Sequence, residues 1–136
     1  MVYKGIIIEE SLSDKSILGK IKIIKTEVEK VTFEHKTPWL TKWTMHTFEV
    51  SEKEGEKVAE LISNALESKH EWYADFKNSK WHFIIFRNKV FKVNRSQKAE
   101  YDLVKKYGIG LGIPEYQLDF FEDIISSVIY NSENVA

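Results

Sequence analysis

The chain has 136 residues and a net charge of −1; 43% of its residues are hydrophobic and 30% charged, and it contains four Trp but no Cys. This composition is typical of one globular domain, and the lack of Cys excludes disulfide bonds, thiolate catalysis, iron–sulfur clusters and Cys-based zinc sites. The longest uninterrupted apolar runs span three or four residues, whereas a membrane helix needs about twenty. Residues 1–10 become acidic too early for the apolar region of a signal peptide. We therefore expect a cytoplasmic protein.

The first half of the chain predicts three strands and one helix. The strands are expected at residues 2–9, 21–31 and 42–50. A loop punctuated by a proline, over residues 32–40, precedes the third strand. Ser51 and Glu54 have the spacing of a capping box, in which the hydroxyl and the carboxylate satisfy backbone N–H groups. The helix that follows, over residues 52–66, repeats its apolar residues at helical spacing.

The second half predicts a meander of three strands followed by two helices. The strands are expected at residues 72–77, 81–86 and 90–93. Asn88 predicts a tight hairpin between the last two strands, because such turns need a positive φ angle and Asn tolerates one. A helix over residues 97–111 ends at Gly112, and the apolar pattern of residues 119–130 predicts an amphipathic helix before a frayed tail at 131–136.

These elements predict a single α+β domain over residues 1–136. We expect one mainly antiparallel sheet of five or six strands, with helices 52–66 and 97–111 packed on it and the C-terminal amphipathic helix added. Strand 81–86 has apolar residues on both faces, which indicates a strand covered on both sides. The C-terminal helix can pack on its own sheet, pair with a second copy or bind another protein. The residues that would form such a contact are Phe121, Ile124, Ile125 and Val128.

Charge is sorted along the chain in a way that the small net charge hides. Residues 76–98 contain seven Lys or Arg and no acid, whereas residues 113–136 contain five acids and no Lys or Arg. A basic, aromatic surface can bind a polyanion such as a nucleic acid, and the acidic segment can mask that surface. The candidate binding residues are Lys77, Lys80, Arg87, Lys89, Lys92 and Arg95. The simpler interpretation is a solvated hairpin.

Two arrangements support a catalytic hypothesis. Asp75 and Lys77 have the acid-x-Lys spacing of the PD-(D/E)xK nucleases, in which the acid binds Mg²⁺ and the Lys activates water. The second acid that such a site requires would come from Glu9, Glu10 or Glu49. His82 can also act as a general base that Asp75 orients across adjacent strands. A solvated ion pair and a hydrogen-bonded core histidine are the simpler interpretations.

The histidines indicate no metal site. The four lie in different predicted elements, and no two have the spacing of a zinc site. They are His35, His46, His70 and His82. We therefore expect neither a metal nor a cofactor.

Four segments of the chain resemble a family of small, uncharacterised prokaryotic proteins. The segments are residues 5–12, 72–76, 84–92 and 107–115. The resemblance covers most of residues 1–120 but not the tail. It implies a prokaryotic source and a cytoplasmic location, and it assigns no activity and no functional residue.

The sequence favours a non-catalytic binding or regulatory module, because every catalytic arrangement has a simpler structural interpretation. We expect the partner to be a protein, including a second copy of this chain, and a nucleic acid is the other candidate; no membrane partner is expected. Two alternatives stay open. One is a small metal-dependent phosphodiester hydrolase using Asp75 and Lys77, and the other is a self-associating structural protein.

Overall fold

A computed structural model describes residues 1–121 and places six strands in one sheet with two α-helices. The strands are β1 Val2–Ile8, β2 Lys22–Lys30, β3 Lys42–Ser51, β4 Tyr73–Lys77, β5 Trp81–Phe86 and β6 Lys89–Asn94. The helices are α1 Gly55–Ala65 and α2 Lys98–Gly110. The sheet has the order β2-β3-β1-β4-β5-β6, and every neighbouring pair is antiparallel. The predicted α+β class and the predicted meander are confirmed.

Two predicted turns, at Asn88 and Gly112, have the backbone conformation that these residue types favour. Asn88 has φ +60° between β5 and β6, as the hairpin requires. Gly112 has φ +91° just after α2, and the N–H of Ile113 bonds back to the carbonyl of Gly108. A left-handed residue that returns the chain in this way is the usual C-terminal stop of a helix.

The predicted capping box at Ser51 is wrong. Ser51 is the last residue of β3, where it pairs with Val2, and its hydroxyl makes no capping hydrogen bond. A 3₁₀ turn over Glu52–Glu54 separates Ser51 from α1, which begins at Gly55. The strand therefore keeps the residue that the sequence pattern assigns to the helix.

Helix α1 covers one face of the sheet and forms the larger core. Its buried side chains, Val58 and Ile62 among them, pack on strand residues that alternate along the chain. The strand residues of this core include Tyr3, Ile7, Phe48, Val50, Phe76, Phe83 and Ile85. Each fully buried side chain of this size contributes about 1.5–3 kcal/mol, so this face anchors the fold.

Helix α2 and residues 113–120 cover only part of the opposite face. Ile84 and Phe86 of β5 pack there against Tyr101 and Val104 of α2, which confirms that β5 is covered on both sides. On β1 the same face of the sheet includes Ile6, whose surface is 55% exposed. The sheet therefore leaves an accessible apolar area beside α2.

The C-terminal part of the chain is described only at its start. Phe120 and Phe121 are helical, whereas the rest of the predicted helix 119–130 and the tail 131–136 lie outside the described residues. None of the helices within residues 1–121 combines the length and the apolar character that crossing a bilayer requires.

Candidate functional site

A cleft of about 560 Å³ lies on the face of the sheet opposite α1. Its floor consists of strand residues from β1, β3 and β4, and three segments outside the sheet form its walls. The floor residues include Ile6, Ile8, Met45 and Asp75, and the wall residues include His35, Trp39, His70, Trp72, Tyr116 and Gln117, with Trp43 of β3 at the edge. We call this set the aromatic cleft, because it brings together three of the four Trp residues of the chain.

Glu67 holds the first wall in place. The Trp39 ring stacks on the His70 ring with 3.6 Å between centroids and 3° between planes, and Trp72 meets Trp39 edge-on. The Glu67 carboxylate bonds to His70 Nδ1, and the Trp72 indole N–H donates to it at 3.0 Å. Burial raises the pKa of Glu67, but hydrogen bonds from His70, the Lys69 backbone and Trp72 outweigh it and lower that pKa below its usual value. The carboxylate therefore stays charged and fixes two aromatic rings.

A second group of hydrogen bonds fixes the wall formed by the loop between β2 and β3. The Trp43 indole N–H donates to Thr37 Oγ1 at 2.9 Å, and the His35 ring meets Trp43 edge-on. His35 Nδ1 accepts from the Thr32 backbone N–H at 2.9 Å. Its Nε2 therefore carries the proton and donates to Glu29 Oε1 at 3.0 Å. These contacts tie the loop to β2 and β3.

The third wall is the chain that follows α2. Gly112 turns the chain back, and Leu118 packs directly over Gly108 in α2, where no side chain intervenes. The Tyr73 hydroxyl donates to the carbonyl of Gln117 at 3.3 Å. Residues 113–117 are thereby held along the edge of the cleft.

Asp75 ends a hydrogen-bonded chain that runs from the core to the cleft. His82 Nε2 donates to Asp75 Oδ2 at 2.6 Å, and His82 Nδ1 lies 3.0 Å from the Tyr101 hydroxyl. The His82 side chain is 1% exposed and that of Asp75 is 36% exposed. Burial raises the pKa of Tyr101 well above its usual value, which keeps the phenol protonated. His82, backed by Tyr101, therefore orients the Asp75 carboxylate, which remains accessible.

The structure brings the predicted His82–Asp75 pair together, but the buried member is His82 and the accessible member is Asp75, which is the reverse of what the hypothesis requires. The sequence hypothesis uses His82 as the base and Asp75 as the residue that orients it. His82 is enclosed by the core, with its ring against Tyr101 and Phe120, and it does not line the cleft. Asp75 is the member of the pair that a bound molecule can contact.

The remaining residues of the nuclease hypothesis do not converge on Asp75. Lys77 follows Asp75 on the same face of β4, opposite Lys4 of β1, and it does not line the cleft. The candidate second acids have other partners: Glu9 bonds to His46, Glu10 to Thr44, and Glu49 faces Lys22. Within residues 1–121, no group of three His, Asp or Glu side chains is placed to hold a metal ion.

The six basic candidates are divided along the meander. Lys77, Lys80 and Arg95 lie at one end of β5, and Arg87 and Lys89 lie about 17 Å away at the other end. Lys92 lies between them, bonds to Glu56 at 2.7 Å and rests over the Trp81 ring. Arg95 Nη1 donates to the carbonyl of Asn78. The polyanion surface stays a prediction.

The candidate oligomer contact is described at one residue. The Phe121 ring packs against Tyr101 with 5.4 Å between centroids. The other three candidates, Ile124, Ile125 and Val128, lie outside the described residues.

Sequence reasoning missed the aromatic cleft. Trp39, Trp43 and Trp72 lie in a loop, a strand and the segment before β4, and no spacing along the chain relates them. The signal that was available is the clustering of three Trp residues in the stretch 39–72 outside the predicted helix.

No protein-family model, no curated protein and no solved structure matches the chain.

Proposed function

We propose that this protein is a non-catalytic binding module whose ligand is a small molecule with a flat, apolar body, bound in the aromatic cleft. The observation that supports the proposal is the convergence of Trp39, Trp43 and Trp72 on one cavity of about 560 Å³. Ligand sites usually measure about 300–1,000 Å³ and combine aromatic walls with a few polar groups. A binding role agrees with the class that the sequence favours.

The arrangement of the walls supports binding without large rearrangement. Glu67 orients Trp72 and His70, and Thr37 orients Trp43. Side chains that are already ordered lose little conformational entropy when a ligand arrives, so more of the contact energy appears as affinity. Trp39 is 47% exposed, which leaves aromatic surface for a ligand to cover.

The non-catalytic part of the proposal is supported by the histidines of the walls. His35 uses both ring nitrogens in hydrogen bonds to Thr32 and Glu29. His70 bonds to Glu67 and carries the stacked Trp39 ring. A general base must reach a proton of its substrate, and these rings serve the structure of the walls instead.

A titration with naphthalene-2-carboxamide, a neutral planar ligand, tests the proposal. The four indole N–H signals in ¹H–¹⁵N spectra report each Trp separately. We expect the signals of Trp39, Trp43 and Trp72 to shift together and that of Trp81 to stay in place, because Trp81 lies on the face that α1 covers. Equal shifts at all four, or none at millimolar ligand, would contradict the proposal.

Trp39→Ala is the matching variant. Removing the most exposed of the three Trp rings of the cleft should weaken binding about tenfold, which corresponds to about 1.4 kcal/mol for a lost aromatic contact. Phe33→Ala is the control, since Phe33 lies in the same loop, is 86% exposed and does not line the cleft. Similar losses in both variants would show that loop order, rather than ring contact, governs binding.

A further inference from the structure

Resting on the proposed function, we infer that the aromatic cleft selects small organic cations, planar molecules whose amidinium or ammonium group is received by the Asp75 carboxylate. Three properties of the site support this inference: the position of Asp75, the way in which it is held, and the charge of the residues that line the cleft.

Asp75 lies where a ligand in the cleft must meet it. It faces the cleft from β4, opposite Ile6 of β1, and its side chain is partly exposed on a floor that is otherwise apolar. In apolar surroundings, a carboxylate interacts more strongly with a charged donor than it does in water. A ligand that covers Ile6 without offering a donor leaves this carboxylate desolvated and unsatisfied.

His82 and Tyr101 hold Asp75 ready for a donor. His82 is a positioning residue that fixes the carboxylate through Oδ2 from beneath the floor. A carboxylate accepts at about four lone-pair sites, so this one hydrogen bond leaves capacity for the two parallel N–H groups of an amidinium. Because His82 fixes the Asp75 carboxylate from the core side, a ligand does not have to order this carboxylate when it binds.

The charge of the cleft also favours a cation. The Lys, Arg, Asp and Glu side chains of its lining are the two carboxylates of Glu71 and Asp75 and the one ammonium of Lys36, whose formal charges sum to −1. The faces of Trp rings attract cations, most strongly where water is excluded. Three such rings and a net negative lining disfavour an anion and favour a planar cation.

Benzamidine and benzamide test the inference as a matched pair. The two have nearly the same shape, but benzamidine carries a positive charge and two N–H groups in parallel. Calorimetric titration of the full chain should show benzamidine binding about tenfold or more tightly than benzamide, as a charge-assisted hydrogen bond predicts. In Asp75→Asn, which keeps the size of the side chain, that preference should fall to about one while benzamide binding stays unchanged.

Glu71→Gln is the matched control, because it removes the other carboxylate of the lining. The preference should persist in this variant. A preference that disappears in Glu71→Gln and survives in Asp75→Asn would overturn the assignment to Asp75. Equal binding of the two ligands by the unaltered chain would overturn the inference but leave the proposed function standing, whereas binding of neither would contradict both.

A short arginine-containing peptide, acetyl-Gly-Arg-Gly-amide, distinguishes the two sources of such a cation. A free small molecule fits within a cleft of about 560 Å³, whereas the flanking residues of the peptide add bulk, so we expect the peptide to bind more weakly than benzamidine. Tighter peptide binding that depends on Asp75 would assign the site to an arginine side chain of a partner protein and overturn the inference.

Discussion

Substituting Gly108 by Ala tests how the third wall of the cleft is held. A Cβ atom at residue 108 would lie 2.5 and 2.8 Å from the two methyl carbons of Leu118. Leu118 is buried and belongs to the segment that runs along the cleft. The added methyl group must therefore displace the buried side chain of Leu118, which anchors the segment that runs along the cleft.

The magnitude follows from two opposing terms. Replacing Gly by Ala in a helix stabilises it by about 0.5–1 kcal/mol, and forcing an extra methyl group into a packed core costs about 1–3 kcal/mol. Gly110→Ala provides the control, because Gly110 also lies in α2 and a Cβ there meets nothing within 4 Å. We expect Gly108→Ala to be less stable than Gly110→Ala by about 1–3 kcal/mol, which is the packing term alone.

Urea unfolding followed by circular dichroism measures both variants, and the double variant Gly108→Ala/Leu118→Ala identifies the cause. Leu118→Ala alone should cost about 2–5 kcal/mol, and part of that loss should be recovered when the methyl group at residue 108 fills the space. Gly108→Ala should also weaken binding of naphthalene-2-carboxamide. A Gly108→Ala variant as stable as Gly110→Ala would refute the reasoning.

Two further predictions concern pH and polyanions. Because hydrogen bonds lower the folded-state pKa of Glu67 below its ordinary value of 4.5, its contribution to stability is complete above pH 4.5 and is lost as pH falls through the lower, folded value. The difference in unfolding free energy between the unaltered chain and Glu67→Gln should therefore shrink as pH falls below about 4.5, and a difference that stays constant there would contradict this. Because the basic candidates lie at both ends of the meander and Lys92 bonds to Glu56, we expect single-stranded RNA to bind neither the full chain nor a chain ending at Phe120. Binding that falls with salt and strengthens on truncation would instead support a masked polyanion surface.

The sequence predicted the features that depend on neighbouring residues. Strand 81–86 has apolar residues on both faces, and β5 is buried between two cores. Asn88 and Gly112 adopt the positive φ angles that their types favour. The predicted Asp75–His82 contact forms because β4 and β5 are adjacent antiparallel strands that a short turn joins. The capping box predicted at Ser51 is wrong because pairing with β1 extends β3 through Ser51.

The aromatic cleft depends on contacts that local patterns do not encode. Trp43 and Asp75 line the same cleft because β3 and β4 lie on either side of β1 in the sheet. Strand order and register follow from the packing of the whole sheet, and a shift of one residue would send Ile6 to the other face. The orientation of Trp72 depends on Glu67, which lies after α1 and belongs to no sequence motif that would point to this contact.

A crystal structure of the protein with naphthalene-2-carboxamide bound tests the central claim most directly. The account predicts the naphthalene ring in the aromatic cleft, in contact with Trp39 and Trp72 and over Ile6 on the floor. A ring bound elsewhere, such as beside Trp81 on the opposite face, with the cleft unchanged, would contradict it.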